Sequence, residues 1–204
     1  MKKTIKMLGL FFITSAIFLA CAQQAPEEKK DTKKDGLFPE GDTTIEDTNF
    51  TIDGLADGKW TYKQVAEYSG GNKNGDISVT EFVFEKSGTT KTIKSGYEYQ
   101  KGTIPAGAPQ SEIDAAIALG YSINGNKYEY TKNWGSSDFA SQTPRIERFY
   151  LYYWNNSYTN IKPKTNAAKT KYYSQRENEY RSTDSSGNTS SGTVTYKEYL
   201  SKSE

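Results

Sequence analysis

The side chains that most often perform chemistry are scarce in this chain. Its 204 residues include no histidine and a single cysteine, Cys21. Nucleophilic triads need an imidazole base, and the common zinc, haem and iron–sulfur sites need histidine or cysteine ligands. The composition therefore excludes these mechanisms, and we expect no cofactor.

Paired carboxylates remain one route to catalysis, because glycoside hydrolysis needs two acidic side chains about 5 to 10 Å apart. Asp184 and Asn188 supply too few oxygen ligands for a calcium loop. Glutamates on the predicted strands are expected mostly on solvated faces, where side-chain alternation places charged residues. We therefore predict that the protein is not an enzyme and has no metal site. These strand glutamates are Glu81, Glu98, Glu129, Glu147 and Glu179.

Aromatic residues recur on successive predicted strands, and they form the main candidate for a binding site. If they face inward, they line a wide, mostly apolar site with a few hydroxyl groups, as small-molecule sites usually are. The alternative is that the same rings fill the interior completely. The candidate ligand-binding residues are Tyr62, Phe82, Phe84, Tyr97, Tyr99, Tyr128, Tyr130, Tyr150 and Tyr152.

The beginning of the chain has the layout of a secretory signal peptide. Lys2, Lys3 and Lys6 precede an apolar run from Met7 to Ala20. This run is shorter than the ~20 residues that a membrane-spanning helix needs. We therefore predict a signal peptide over residues 1–20 and export of the rest.

Phe18-Leu19-Ala20-Cys21 resembles the lipobox of bacterial lipoproteins. In that family a peptidase cuts before a cysteine that carries a diacylglyceryl thioether, so the resemblance implies lipid attachment at Cys21. Two alternatives stay open: cleavage after Ala22, which would release a soluble protein, and retention of an uncleaved anchor. The anchored form predicts a location in the cell envelope, on the outer membrane if the cell has one.

Residues 21–49 are rich in charged and turn-forming side chains, which favours a disordered tether. The domain that follows is predicted over residues 50–204. With 26 basic and 25 acidic residues, the chain has no electrostatic footprint for nucleic acid.

The domain is predicted to be all-β, since its 16 tyrosines and its alternating patterns suit pleated, half-buried surfaces. A change of phase near Thr80-Glu81 in the second strand indicates a bulge or a strongly bent strand. The one helical pattern runs from Pro109 to Leu119, with Ser111 as a cap and with Ile113, Ala116 and Ile117 on one face. The predicted strands cover 59–68, 77–86, 90–100, 120–124, 127–132, 145–154, 169–181 and 192–200.

Eight strands joined mostly by short turns predict an antiparallel up-and-down barrel with one short helix, and a β-sandwich is the alternative. Gly58-Lys59-Trp60 resembles the G-x-W signature of lipocalins, and the segment from Tyr121 to Tyr130 resembles a hairpin of bacterial lipocalin-like lipoproteins. The resemblance implies a lipocalin-like barrel in which Gly58 and Trp60 are structural. In that family the tryptophan packs against a basic residue of the last strands.

Two functions follow from these features. The first is a membrane-anchored lipoprotein that binds or carries a small apolar molecule at the cell envelope. The second is an interaction module that contacts an envelope or host protein through an aromatic-rich β surface, since tyrosine and tryptophan are favoured at interfaces. A lined cavity would favour the first, and exposed aromatic patches over a dry core would favour the second.

Overall fold

The computed structural model describes residues 45–135, 163–183 and 187–203. Within these ranges the chain is mostly β, with one short helix, as the composition predicts. In chain order the elements are β1 (Ile45–Glu46), β2 (Gly58–Ser69), β3 (Ile77–Ser87), β4 (Thr90–Thr103), α1 (Gln110–Ala118), β5 (Ser122–Asn124), β6 (Lys127–Trp134), β7 (Lys164–Thr165), β8 (Lys171–Thr183) and β9 (Thr189–Lys202).

Each predicted strand has a counterpart among these elements except the one at 145–154, which lies outside the described residues. The observed strands are mostly longer than predicted. The two shortest, β1 and β7, were not predicted, and they pair with each other through Ile45 opposite Thr165. Ile45 and Glu46, near the end of the predicted tether, are therefore part of the sheet.

The described strands form one antiparallel sheet in the order β1-β7-β8-β9-β2-β3-β4-β6-β5. This single layer does not match the two packed sheets of a sandwich. The sheet is also not closed within the described residues. These strands by themselves therefore do not form the predicted eight-stranded barrel. One feature of the order is unusual for an open meander: β2, the first long strand, pairs with β9, the last.

The β5–β6 hairpin confirms the turn predicted around Gly125. Asn124 pairs with Lys127, which leaves a two-residue loop, and Gly125 has φ of 59°. Glycine adopts this left-handed conformation without the clash that a side chain would create. The local sequence is therefore sufficient to join these two strands.

The predicted bulge near Thr80-Glu81 is wrong, because β3 pairs with β2 without interruption from Ile77 to Lys86. The irregularity lies in β4 instead. Val83 pairs with Ser95 and Phe84 with Ile93, so Lys94 is an extra residue on the β4 side. An extra residue reverses which face the following side chains occupy.

The helix α1 is confirmed, but the face that it buries differs from the prediction. Pro109 occupies the N-cap position and Ser111 lies inside the helix, so Ser111 is not the cap. Glu112 and Ala116 are buried, whereas Ile117 is 52% exposed and Leu119, just after the helix, is 55% exposed. The helix therefore contacts the domain through its Ala116 side. None of the helices in the described ranges is long and apolar enough to span a membrane.

The main core lies on one face of the sheet and extends to the segment that leads into β2. Ile52 and Leu55 from this segment are buried against side chains of the sheet, and Phe50 and Trp134 pack at the edge of the cluster. The sheet residues of the cluster are Trp60, Tyr62, Phe82, Phe84, Ile93, Tyr172 and Leu200.

Candidate ligand-binding face

The strand registers place most of the predicted aromatic residues on the same side of the sheet. Tyr62 lies opposite Phe82 and Trp60 opposite Phe84, while Tyr130 lies opposite Gln100. We call this side, which carries the main core, the core face, and we call the opposite side the outer face. The predicted ligand residues on the core face are Tyr62, Phe82, Phe84, Tyr128 and Tyr130.

Tyr97 and Tyr99 occupy the outer face instead. Tyr97 pairs with Glu81 and Tyr99 with Val79, and both partners alternate with the core-face residues of β3. Simple alternation along β4 would place Ile93 on the same face as these tyrosines, but the extra residue Lys94 lies between them and separates their faces. Tyr150 and Tyr152 lie outside the described residues.

Part of the core face is already filled by protein atoms. Tyr62 and Phe84 have no exposed surface and Phe82 has 1%. The rings of Tyr62 and Phe82 stack with centroids 4.8 Å apart. These rings therefore form packed core. Tyr128 and Tyr130 are only partly buried and lie nearer the helix α1.

Gly58 and Trp60 hold the start of the first long strand. Trp60 is fully buried, and its Nε1–H donates to the carbonyl of Ala56 at 2.9 Å. Gly58 has φ of 127°, and a Cβ there would lie 3.1 Å from Cε of Lys202. The basic residue opposite Trp60 in register is also Lys202. Arg176, one of the two arginines of β8, instead places its guanidinium over the ring of Tyr196.

A continuous row of polar residues crosses the core face, one residue from each of six adjacent strands. Each member lies directly opposite the next in register. The row beside it, toward Trp60, is mainly aromatic. We call the following residues the polar row: Ser174, Glu198, Gln64, Thr80, Glu98 and Lys132.

Glu198 is the most deeply buried member of the polar row, with no exposed surface. Its Oε1 accepts hydrogen bonds from the Tyr62 hydroxyl at 2.8 Å and from Gln64 Nε2 at 3.0 Å. Its Oε2 accepts one from Ser174 Oγ at 3.1 Å and lies 3.6 Å from Nε of Arg176. A buried carboxylate needs such partners because losing hydration is costly. This half of the row is internally satisfied.

The other half of the polar row lies beside a cluster of tyrosines. Tyr121 stacks on Tyr130 with centroids 4.4 Å apart, and its hydroxyl donates to Gln100 Oε1 at 3.0 Å. Burial raises the pKa of Tyr121 to about 12, with further contributions from Tyr130 and the Glu98 carboxylate. Burial and the Glu98 carboxylate also raise the pKa of Tyr130. Glu98 is partly exposed, so this half of the row reaches solvent.

A second buried carboxylate, Asp76, joins the β2–β3 turn to β4 and β6. It accepts from the backbone N–H of Thr103 at 3.0 Å and from the Tyr128 hydroxyl at 3.3 Å. Burial raises the pKa of Asp76 despite these two donors, and burial lowers the pKa of Lys73 nearby. Burial and the Asp76 charge raise the pKa of Tyr128. We interpret Asp76 as a structural residue, since its carboxylate bonds to Thr103 of β4 and to Tyr128 of β6.

Glu198, Tyr121 and Asp76 were not predicted as residues of this face. A signal for Glu198 was present, because it shares the alternation of Val194, Tyr196 and Leu200, which all face the core. Asp76 follows a glycine-rich turn and had no such signal. Across the part of the chain that the structure describes, no cluster of three or more acidic or sulfur ligands could hold a metal ion.

Comparison with known proteins adds no relative. No family model matches the chain, and neither a curated protein nor a solved structure is significantly similar to it. The resemblances to lipoproteins and lipocalins therefore stay predictions that rest on short motifs.

Proposed function

We propose that this chain is a non-enzymatic lipoprotein of the bacterial cell envelope whose β domain binds or carries a small, mainly apolar molecule. The observation that carries this proposal is the shared core face of Tyr62, Phe82, Phe84, Tyr128 and Tyr130. Exposure along this face rises from the fully buried Tyr62 to the partly exposed Tyr130. A ligand would therefore contact the tyrosines near α1, above a floor of packed rings.

The anchoring part of the proposal is supported by the first 21 residues. A lysine-rich start, a short apolar run and Cys21 occur in the order that lipid-modified export signals have. Two or more acyl chains on one residue would give stable attachment, whereas a single chain binds only marginally.

We also propose that the sheet closes into a lipocalin-like up-and-down barrel. The pairing of β2 with β9 supports it, because a barrel brings its first and last strands together whereas an open meander leaves them at opposite edges. The open edges of the described sheet are β5 and β1. β5 pairs with β6 only along residues 127–129, and β7 pairs with β8 only at Tyr172 and Tyr173. In a closed barrel the predicted strand 145–154 would join the remaining lengths of β6 and β8. Nuclear Overhauser contacts from that segment to both β6 and β8 would test closure, and contacts to neither would contradict it.

Native mass spectrometry of the whole Cys21→Ser chain tests the binding function. We expect an excess mass of a few hundred daltons that denaturation removes, because a ligand held on the core face would survive gentle purification. The same variant carrying Tyr130→Ser should retain less of it. No excess mass, together with no change in tryptophan emission on adding apolar probes, would contradict the proposal.

A second candidate function is favoured by the position of Tyr97 and Tyr99. Both are partly exposed on the outer face, and Tyr99 lies opposite Val79, which in turn lies opposite Val65. These side chains on the outer face would suit a surface that contacts an envelope or host protein. Binding of a partner that Tyr99→Ser abolishes and Tyr130→Ser leaves intact would select this function over the first.

A further inference from the structure

Lysine residues collect at one end of the sheet. There, each of the five longest strands has a lysine in one of its two terminal positions, and the short strand β7 has another. The registers bring these ends together, since Gly58 pairs with Lys86 and Trp60 pairs with Lys202. At their opposite ends the same five strands have no charged residue in the two terminal positions. We call the following residues the lysine end: Lys59, Lys86, Lys91, Lys164, Lys171 and Lys202.

Two members of the lysine end are bound by the segment that leads into β2. Lys86 Nζ lies 3.3 Å from Asp57 Oδ1, and Lys91 Nζ lies 2.7 Å from Asp53 Oδ1. Both lysine side chains are mostly buried. Their charges are therefore already neutralised.

The other four lysines are accessible. Lys59 and Lys164 are exposed, and Lys171 and Lys202 are partly exposed. Within the ranges that the structure describes, none of the four takes part in an ion pair. They can therefore contact an anionic partner without first losing a bound carboxylate.

Nearby carboxylates only partly offset these four charges. Glu85 lies opposite Lys59 in register, but its carboxylate pairs with Lys94 at 2.9 Å. Glu46 lies opposite Lys164. Glu204, which follows β9, lies outside the described residues. Four lysines therefore outnumber these two remaining carboxylates, and this end of the sheet keeps an excess of positive charge.

The chain enters the sheet at the lysine end. β1 begins at Ile45, which lies opposite Thr165, and Thr165 lies opposite Tyr172, the neighbour of Lys171. A bilayer that held the proposed anchor at Cys21 would therefore be connected to the domain at its basic end.

We propose that the lysine end binds the anionic head groups of the membrane to which the lipid anchor attaches the chain. Each lysine beside an anionic bilayer strengthens binding about fivefold, and the tether keeps the domain at a high effective concentration near the lipid. The helix α1, which follows the opposite end of β4, is then directed away from the bilayer. This inference rests on the proposed anchor and adds an orientation to it.

Spin labels at the two ends of the sheet measure this orientation. Thr90→Cys places a label at the lysine end, and Ser69→Cys places one at the opposite end of β2, both at exposed positions. The acylated Cys21 takes no label. The lipid-modified chain is reconstituted in vesicles that carry nickel chelated to a head group, made of phosphatidylcholine alone or with about 30% phosphatidylglycerol. In the anionic vesicles we expect nickel to collide with the label at position 90 several times more often than with the label at position 69.

Replacing three accessible lysines of this end should abolish the difference between the two labels. The matched control removes the same charge from exposed lysines elsewhere on the sheet and should preserve the difference. An equal loss in both triple variants would overturn the inference, because net charge alone would then explain the binding. The test variant carries Lys59→Gln, Lys171→Gln and Lys202→Gln, and the control carries Lys101→Gln, Lys127→Gln and Lys132→Gln.

Cosedimentation of the whole Cys21→Ser chain with the anionic vesicles separates this inference from the anchor. It should bind about a hundredfold more tightly than the same chain with the three lysine-end substitutions, at roughly fivefold per lysine. Equal binding of these two chains, or equal collision rates at the two labels in a chain that stays on the vesicles, would overturn the lysine-end contact. Absence of lipid on the unsubstituted chain would overturn the proposed anchor instead.

Discussion

Trp60 connects the first long strand to the segment that precedes it. The indole is fully buried, donates to the Ala56 carbonyl and packs in the same cluster as Ile52 and Leu55. Its removal would take away a large apolar contact area and leave a cavity that these neighbours cannot fill.

We predict that Trp60→Ala lowers the free energy of unfolding by about 3 to 5 kcal/mol, as measured for large core aromatics in chemical denaturation. Trp134→Ala is the comparison, since Trp134 is only partly buried at the edge of the same cluster. It should cost clearly less. Equal losses for the two variants would show that Trp60 has no special place in the core.

Tyr121 should make the stability of the domain sensitive to alkaline pH. Its pKa is raised from 10.0 to about 12, chiefly by burial, so the folded chain favours the neutral phenol. The stabilisation is complete below pH 10 and is lost as the pH rises through 12.

In Tyr121→Phe this loss should be smaller, while at pH 7 the variant should be about 1 kcal/mol less stable because the hydrogen bond to Gln100 is missing. Thermal unfolding of both proteins at pH 7, 10 and 11.5 measures the difference. A steeper alkaline decline in the variant would contradict the assignment.

At the scale of the strand, the bulge in β4 decides which tyrosines share a face. Ile93 faces the core, whereas Tyr97 and Tyr99 face outward, because Lys94 is inserted between positions that pair with Phe84 and Val83. Without that residue the pairing on either side would be continuous. Because of the bulge, these tyrosines lie on the face opposite to the one that simple alternation from Ile93 would give them.

Deletion of Lys94 should therefore be tolerated, since both arms of β4 keep their partners and their faces. Its side chain contributes an exposed ion pair with Glu85, which adds little to stability. Deletion of Lys63, from the uninterrupted pairing of β2 with β3 and β9, is the matched control and should abolish cooperative unfolding. Circular dichroism and thermal melts report both, and similar behaviour of the two deletions would contradict the register.

The proposed anchor and the described domain are separate features of one chain. Among the described residues the sheet begins at Ile45, about 20 residues after Cys21. If the proposed anchor is present, a fully extended segment of that length, at about 3.3 Å per residue, would allow the domain to lie tens of ångströms from the bilayer.

We predict that Cys21→Ser abolishes labelling by a radioactive fatty acid and moves the protein from the membrane fraction to the soluble fraction. The anchor requires the thiol, whereas the fold does not. Ser15→Ala, a similar small change within the leader, should leave labelling intact. Continued membrane attachment of Cys21→Ser would contradict lipid anchoring and favour the uncleaved signal segment.

The positions of the described strands other than β1 and β7, of the Gly125 hairpin and of the short helix could be predicted from the chain because they depend on local properties. Side-chain alternation, turn residues and the 3.6-residue period all act over a few neighbouring residues. The same local alternation held the signal for Glu198, which was not used, because Glu198 lies on the same side of β9 as Val194 and Leu200.

How those local patterns combine depends on contacts between strands that are distant in the chain. The polar row depends on the register of six strands, and Glu198 meets Tyr62, which lies 136 residues away in the chain. Register between strands is set by long-range packing, and a single extra residue such as Lys94 reverses a face. Burial of Tyr62, Phe82 and Phe84 likewise follows from side chains contributed by distant strands, so no local pattern could distinguish packed floor from accessible site.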